Sequence, residues 1–146
     1  MIRKRYPHVI VGVLFLCQNL GMFIYTNPNP TEKRTGDCVI RGISILTNQS
    51  WEFVYMELCK EGLLMADLPN SNAVFASYLK GLGYKKEVIS NTCPDCYTAQ
   101  DFCIDHPKGK YLLCTGSHVI AVIDGNIYDA WDSSNEIPTY YFYKER

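Results

Sequence analysis

The sequence predicts an α+β domain in which N-terminal helices pack on one face of a C-terminal antiparallel sheet. Apolar residues recur at helical spacing between about residues 38 and 81. From about residue 110 onward, β-branched and aromatic runs are separated by turn residues, which is typical of strands. The 146 residues, 47% of them hydrophobic, suffice for one compact domain with its own core. Helices that precede the strands favour the α+β class.

The N-terminal segment has the outline of a targeting signal. A basic start, MIRKRYPH, is followed by the apolar run VIVGVLFLC, but no small-x-small cleavage site follows that run. The stretch from Val9 to Tyr25 is also shorter than the ~20 residues that a membrane-spanning helix needs. Three interpretations of residues 1–21 remain open: an extension ahead of a true start at Met22, a signal or anchor, and a packed helix. We favour the first, so the predicted domain spans residues 22–146.

The first two helices are predicted from their caps and apolar stripes. Asp37 can cap a helix through its carboxylate, and Cys38 then falls in the first helical turn. Ser50 is a good N-cap for the segment WEFVYMELCKEGLLM, whose apolar stripe includes Cys59. We therefore expect Cys59 to lie in the core.

Two more helices and five strands complete the predicted domain. The third helix is expected to be capped by Asn70 or Ser71 and closed by Gly81 or Gly83. A short fourth helix is expected over about residues 98–104. Strands are predicted at KKEVI and then, as an antiparallel meander, at KYLLCTG, SHVIAVID, NIYDAWDS and TYYFYKE.

Charge and cysteine content limit the classes of function. A formal net charge of −1 without a long basic run argues against nucleic-acid binding. Seven cysteines are an odd number without the regular spacing of a secreted disulfide scaffold, so a reducing, cytoplasmic compartment is expected. The alternative is secretion or membrane anchoring through residues 1–25, and without such an anchor no membrane contact is expected.

The motif CPDC raises the question of a metal site. Cys93 and Cys96 have the spacing of zinc ligands, and Cys103, His106 or Cys114 could add further ligands. A single CxxC pair is weak evidence, because thiolates that fill a zinc tetrahedron usually come in two such pairs. The sequence therefore predicts no metal and no cofactor.

Cys38 is the candidate nucleophile. The unpaired N–H groups and the dipole at the start of a helix favour a thiolate, which is the form that attacks carbonyl carbons. The alternative is core filling, since free cysteine is among the most buried residue types. A nucleophilic thiol needs a base, and the candidates are His8, His106 and His118. His118 is the best placed, because it opens the predicted strand HVIAVID, whereas His106 precedes a proline in a loop.

The hairpin that follows His118 supplies a candidate acid. If DGN is a three-residue loop, Ile123 pairs with Ile127, and counting outward places His118 opposite Asp132 on the same face. A loop one residue shorter, made of GN, turns Asp132 to the other face and leaves Asp129 on the face of His118. We expect Asp132 to orient the imidazole and keep Asp129 as the reserve acid.

Five motifs of the sequence are NPNPTEKRTGDCVIRGIS, SWEFVYMELC, PNSNAVFASYLKGLGY, TCPDCYTAQDF and SHVIAVIDGNIYDAWDS. Through these motifs the chain resembles small, mostly uncharacterised phage and bacterial papain-like proteins from about Asn27 to its C-terminus. More distantly it is similar to bacteriocin leader peptidases and to transglutaminases, which share the order Cys, His, Asp. The resemblance implies a papain-like cysteine peptidase fold and the triad Cys38, His118 and Asp132.

One position departs from the papain-like pattern. These enzymes usually carry a glutamine a few residues before the nucleophile, where it completes the oxyanion hole, and here Glu32 lies near that position. Asn29 or Asn27 is expected to donate instead if the NPNP loop folds back. The predicted function is a thiol hydrolase that cleaves an amide, peptide or isopeptide bond in a peptide or protein substrate. The alternatives are a transglutaminase-like acyl transferase and a non-catalytic, phage-derived structural or interaction protein.

Overall fold

The computed structural model describes residues 21–91 and 94–145. The predictions for residues 1–20, including His8, and for Cys93 fall outside the described residues. The described part is a mixed α+β structure with four helices and a six-stranded sheet, which confirms the α+β class. None of the helices described is long and apolar enough to cross a membrane.

The helices and strands follow one another in the predicted order, with one strand added at the start. The helices are α1 (Cys38–Thr47), α2 (Trp51–Met65), α3 (Asn72–Gly81) and α4 (Ala99–Asp105). The strands are β1 (Phe23–Tyr25), β2 (Lys85–Val88), β3 (Lys110–Cys114), β4 (Val119–Ile123), β5 (Asn126–Asp129) and β6 (Tyr140–Tyr143).

The sheet has the strand order β1-β5-β4-β3-β6-β2 and is mixed rather than wholly antiparallel. The meander of β3, β4 and β5 is confirmed, but β6 pairs with β3 and not with β5. The edge of β5 is covered instead by β1, which runs parallel to it. This pairing satisfies backbone groups that would otherwise be open, as where the Ile127 N–H donates to the Met22 carbonyl over 2.9 Å.

Three of the four described helices begin with side-chain caps, and those at Ser50 and Ser71 are predicted from the sequence. Ser50 accepts from the Phe53 N–H and Ser71 from the Val74 N–H. Thr98 forms a capping box with Asp101. These caps are local, so the sequence alone defines where the helices start.

The core lies on both faces of the sheet, so the expectation that all helices pack on one face is wrong. Alternate residues along β3 and β4 point to opposite faces. One face meets α1, with α2 and α3 behind it, and the other is covered by α4. The first cluster includes Ile43, Leu46, Val54, Leu58, Val74, Phe75, Leu79, Leu112, Ala121 and Phe142, and the second Ala99, Phe102, Leu113, Ile120, Val122 and Ile127.

Gly42 allows α1 to lie directly against the strand that follows His118. A Cβ placed there would come within 2.8 Å of Leu112 Cδ1 and 3.0 Å of Val119 Cγ1. Gly42→Val is therefore expected to lower the free energy of unfolding by about 1–3 kcal/mol through overpacking, measured by urea denaturation. Gly81→Val is the control, since nothing lies within 4 Å of a Cβ at Gly81. Equal losses in the two variants would contradict close packing of α1.

Candidate active site

Cys38 is the first residue of α1, as predicted, and its side chain is half-buried. Among the described residues, no side chain caps α1. The expectation that the Asp37 carboxylate caps this helix is wrong, because that carboxylate is engaged by other side chains. The first N–H groups of α1 are therefore left for a developing negative charge near Cys38.

His118 is held by the tight connection between β3 and β4. Its backbone N–H donates to Thr115 Oγ1 over 2.9 Å, and the Thr115 N–H donates to the His118 carbonyl over 2.9 Å. The His118 side chain is only 9% exposed. The buried strand β4 begins at the next residue, so it anchors the imidazole at the end of the sheet.

The Cys38 thiol and the His118 imidazole line the same cleft and influence each other's pKa. Burial acts to raise the pKa of Cys38, but the hydrogen bond and positive charge of His118 outweigh it. The Val119 N–H and the charge of Arg41 lower the pKa of the thiol further, so it lies below its ordinary value. The environment therefore favours a thiolate at Cys38.

His118 shows the complementary shift. Burial acts to lower the pKa of His118, but hydrogen bonds to Asp129 and to Cys38 outweigh it and raise the pKa to about 9. A pKa of about 9 keeps the imidazole protonated at neutral pH, and the lowered pKa of Cys38 favours the thiolate beside it. This ion pair is the reactive form of a thiol nucleophile with its base.

The acid beside His118 is Asp129, so the assignment of Asp132 is wrong and the reserve acid takes its place. His118 Nε2 lies 2.6 Å from Asp129 Oδ2, and both side chains are buried. Asp132 is exposed, and its Oδ1 accepts hydrogen bonds from the N–H and hydroxyl of Ser134. Asp132 therefore stabilises a surface turn rather than the imidazole.

The turn between β4 and β5 explains the error. Ile123 pairs with Asn126, so the loop is the two-residue turn of Asp124 and Gly125, with φ of 48° and 73°. Positive φ at both positions identifies the type I′ turn that Asp-Gly favours, and this dipeptide is the sequence signal that would have given the register.

The observed register matches neither of the two predicted registers. It pairs Ala121 with Tyr128, and one further step places Asp129 opposite Ile120. Asp129 therefore projects from the same side of the pleat as His118, two residues along the strand. This diagonal spacing brings the carboxylate to the imidazole, whereas β5 ends before Asp132.

Asp129 is itself fixed in orientation. Its Oδ2 accepts a hydrogen bond from Ser133 Oγ over 2.8 Å, and its Oδ1 accepts from the Ala130 N–H over 2.7 Å. Ser133 is fully buried. The carboxylate oxygen facing His118 is thus positioned by groups on its own turn.

Arg41 links Asp129 to the start of α1. Its guanidinium pairs through Nη1 with Asp37 Oδ1, and its Nη2 lies 3.8 Å from Asp129 Oδ1. Asp37 Oδ2 accepts hydrogen bonds from Asn29 Nδ2 and Trp51 Nε1, each over 3.0 Å. Sequence reasoning missed Arg41, although its position four residues after Asp37 is the spacing of a helical ion pair.

Neither predicted oxyanion donor lies at the cleft over Cys38. Asn29 donates to Asp37 and holds its own loop by accepting from Thr31, and Asn27 accepts from the Asn29 N–H. The amide N–H group of Asn29 is thus engaged by Asp37, and Asn27 does not line this cleft. A cleft of about 350 Å³ over the thiol is lined by Cys38 and His118 together with Gly36, Asn70, Asn72, Thr115, Gly116, Ser117 and Tyr140.

Trp131 packs against the imidazole of His118. Its ring centroid lies 4.7 Å from that of His118 at an interplanar angle of 34°, and the indole remains 45% exposed. Sequence reasoning did not identify Trp131 as part of the site. Its position two residues after Asp129 is the only local signal.

Comparison with known proteins does not assign the chain to a family. No family model matches the sequence, and no curated protein and no solved structure matches it. The chemistry of the site is therefore argued from its own geometry.

The remaining histidine and cysteines that are described have other surroundings. His106 ends α4 and stacks on Phe102 with ring centroids 3.9 Å apart, so it has a structural role. Burial raises the pKa of both Cys103 and Cys114 to about 12. Cys59 is half-buried rather than a core residue.

The CPDC motif is only partly described. Cys96 is disulfide-bonded. Within residues 21–91 and 94–145, no three His, Cys, Asp or Glu side chains are grouped so that they could hold a metal ion.

Proposed function

We propose that this protein is a cysteine hydrolase with a papain-like fold that cleaves an amide bond in a peptide or protein. Cys38 is the nucleophile, His118 the base and then the acid, and Asp129 the orienting carboxylate. The observation that carries the proposal is the imidazole held between a thiol and a buried carboxylate 2.6 Å from its Nε2. This is the chemical order of the Cys-His-acid hydrolases.

The proposed reaction begins with attack of the Cys38 thiolate on the carbonyl carbon. His118 gives its proton to the nitrogen as the carbon–nitrogen bond breaks, and a thioester on Cys38 remains. His118 then takes a proton from water, which attacks the thioester and releases a carboxylic acid and the free thiol. Asp129 stabilises the imidazolium in both steps without taking its proton.

The start of α1 supports stabilisation of the oxyanion. Its first N–H groups receive no side-chain cap within the described part of the chain, and the helix dipole is positive at this end. Asn70 and Asn72 line the same cleft as Cys38 and bring amide donors to its rim. Papain-like enzymes use a glutamine near the position of Glu32 to stabilise the oxyanion. Here that role is assigned to the backbone N–H groups of α1 and to the amides of Asn70 and Asn72.

The proposed papain-like architecture is supported by where the three residues sit. The nucleophile opens a helix, the base directly precedes β4, and the acid is the last residue of the adjacent antiparallel strand β5. The sequence motifs that resemble papain-like proteins include all three positions. An intact buried network around the triad favours a catalytic protein over a non-catalytic one, because unused buried ionic groups are costly to keep.

Hydrolysis is favoured over transfer to an amine by the charge beside the site. Lys33 and Arg34 precede the nucleophile and line a cavity next to Trp131. Two cations repel the ammonium form of a lysine acceptor. Release of a new carboxylate, without incorporation of an added amine, is the expected product pattern.

The test is the pH dependence of alkylation of the full chain by iodoacetamide, with each modified cysteine mapped by mass spectrometry. Because the pKa of Cys38 is lowered, its alkylation is expected to remain fast well below the pKa of about 8.5 of a free thiol. Cys103 and Cys114 are expected to react slowly because burial raises their pKa.

Cys59 provides the internal control, since it is as half-buried as Cys38 but lies in the middle of α2. Alkylation of Cys38 and Cys59 with the same pH profile would contradict the proposal. In Cys38→Ser, the fast phase at low pH is expected to vanish while the other cysteines react unchanged.

A further inference from the structure

The geometry points to a subsite for an anionic leaving group in the cavity between Trp131 and the loop before Cys38. The amine released by the reaction is inferred to carry a carboxylate, which Lys33 and Arg34 bind. This inference rests on the proposed hydrolase function and adds to it the chemical class of the substrate.

The cavity is connected to the imidazole through the indole of Trp131. The nitrogen that leaves must take its proton from His118, so the leaving group lies against the imidazole. Trp131 contacts the His118 ring and also forms a wall of this cavity of about 540 Å³. A leaving group that extends from His118 along the indole enters the cavity, and this is the path that the inference assigns to it.

The charges that line the cavity select an anion. Lys33 and Arg34 are exposed, and neither forms an ion pair with any other described residue. Glu32 also lines the cavity and contributes one negative charge. The guanidinium of Arg41 is already compensated by two carboxylates. Lys33 and Arg34 outnumber Glu32, so the rim of the cavity carries a net positive charge.

A carboxylate suits this rim and the reaction. When the sulfur of Cys38 bonds to the carbonyl carbon and the carbon–nitrogen bond breaks, the nitrogen takes the proton of His118 and leaves as an amine. A carboxylate on that amine can pair with Lys33 or Arg34 while the indole packs against its apolar part. The carboxylate is either the C-terminus of the substrate or an acidic side chain on the leaving residue.

The test measures binding of leaving-group analogues to the ¹⁵N-labelled full chain by NMR, through the indole N–H signal of Trp131. Trp131→Phe assigns that signal. The ligands are glycylglycine, its neutral amide glycylglycinamide, and glutamic acid α-amide, whose carboxylate is on the side chain. Glycylglycine or glutamic acid α-amide is expected to bind about fivefold more tightly than glycylglycinamide. Whichever of the two binds more tightly identifies the source of the carboxylate.

The double variant Lys33→Ser, Arg34→Ser is expected to abolish this preference. The double variant Lys80→Ser, Lys108→Ser removes the same charge from exposed positions elsewhere and is expected to keep it. Equal affinity for the charged and neutral ligands, or a preference that survives loss of Lys33 and Arg34, would overturn the subsite. A carboxylate preference in a protein whose Cys38 fails the alkylation test would overturn the hydrolase function and leave an anion site alone.

Discussion

Asp129→Asn is expected to slow alkylation of Cys38 at pH 6 by about tenfold to a hundredfold, whereas Asp132→Asn leaves the rate unchanged. Without the carboxylate on Nε2 the imidazole loses its charge partner, so the pKa of His118 falls and that of the Cys38 thiol rises. Each unit by which the thiol pKa rises above the assay pH removes about tenfold of the thiolate. Iodoacetamide kinetics on the two variants measure this directly.

The two aspartates make a matched pair, because the same substitution is made in the same segment. Asp132 only holds the Ser134 turn, so its variant reports any general effect of Asp→Asn on this loop. Circular dichroism melts separate loss of fold from loss of reactivity. Slow alkylation in Asp132→Asn with normal alkylation in Asp129→Asn would refute the triad assigned here.

Arg41→Met is expected to lower the free energy of unfolding by about 3–5 kcal/mol, because it leaves the buried carboxylate of Asp37 without its cation and removes one of the two cations beside Asp129. Urea denaturation measures the loss. The same variant is expected to raise the pKa of Cys38, since the charge of Arg41 lowers it.

Lys60→Met is the control for this prediction. Lys60 pairs with Glu57 on the exposed face of α2, where an ion pair contributes about 0–1 kcal/mol. A loss of less than 1 kcal/mol in Arg41→Met would show that Asp37 and Asp129 do not depend on the guanidinium.

The parts of the fold that the sequence predicts well are those fixed by neighbours in the chain. Ser50 and Ser71 cap their helices through N–H groups three residues away, so the signal and its partner lie in the same short segment. The position of Cys38 at a helix start has the same local origin. The α+β class follows from the order of such segments.

The errors concern partners that are distant in the chain. Asp37 has the residue type of a cap, but burial beside Trp51 and Arg41 offers its carboxylate stronger donors than the helix N–H groups. The prediction of the acid depended on the register of one hairpin, where an error of one residue turns every side chain to the other face. The placement of α4 opposite α1 likewise needs the whole sheet.

Parallel pairing of β1 with β5 has a consequence for how the protein is made. The Met22 N–H bonds to Asn126 Oδ1 across 104 residues, and the Thr26 N–H donates to the carbonyl of Asp129 over 2.8 Å. During synthesis, β1 cannot pair until β5, near the end of the chain, has been made. Asp129 is the last residue of β5, so its bond to His118 is expected to form only when β5 has joined the sheet.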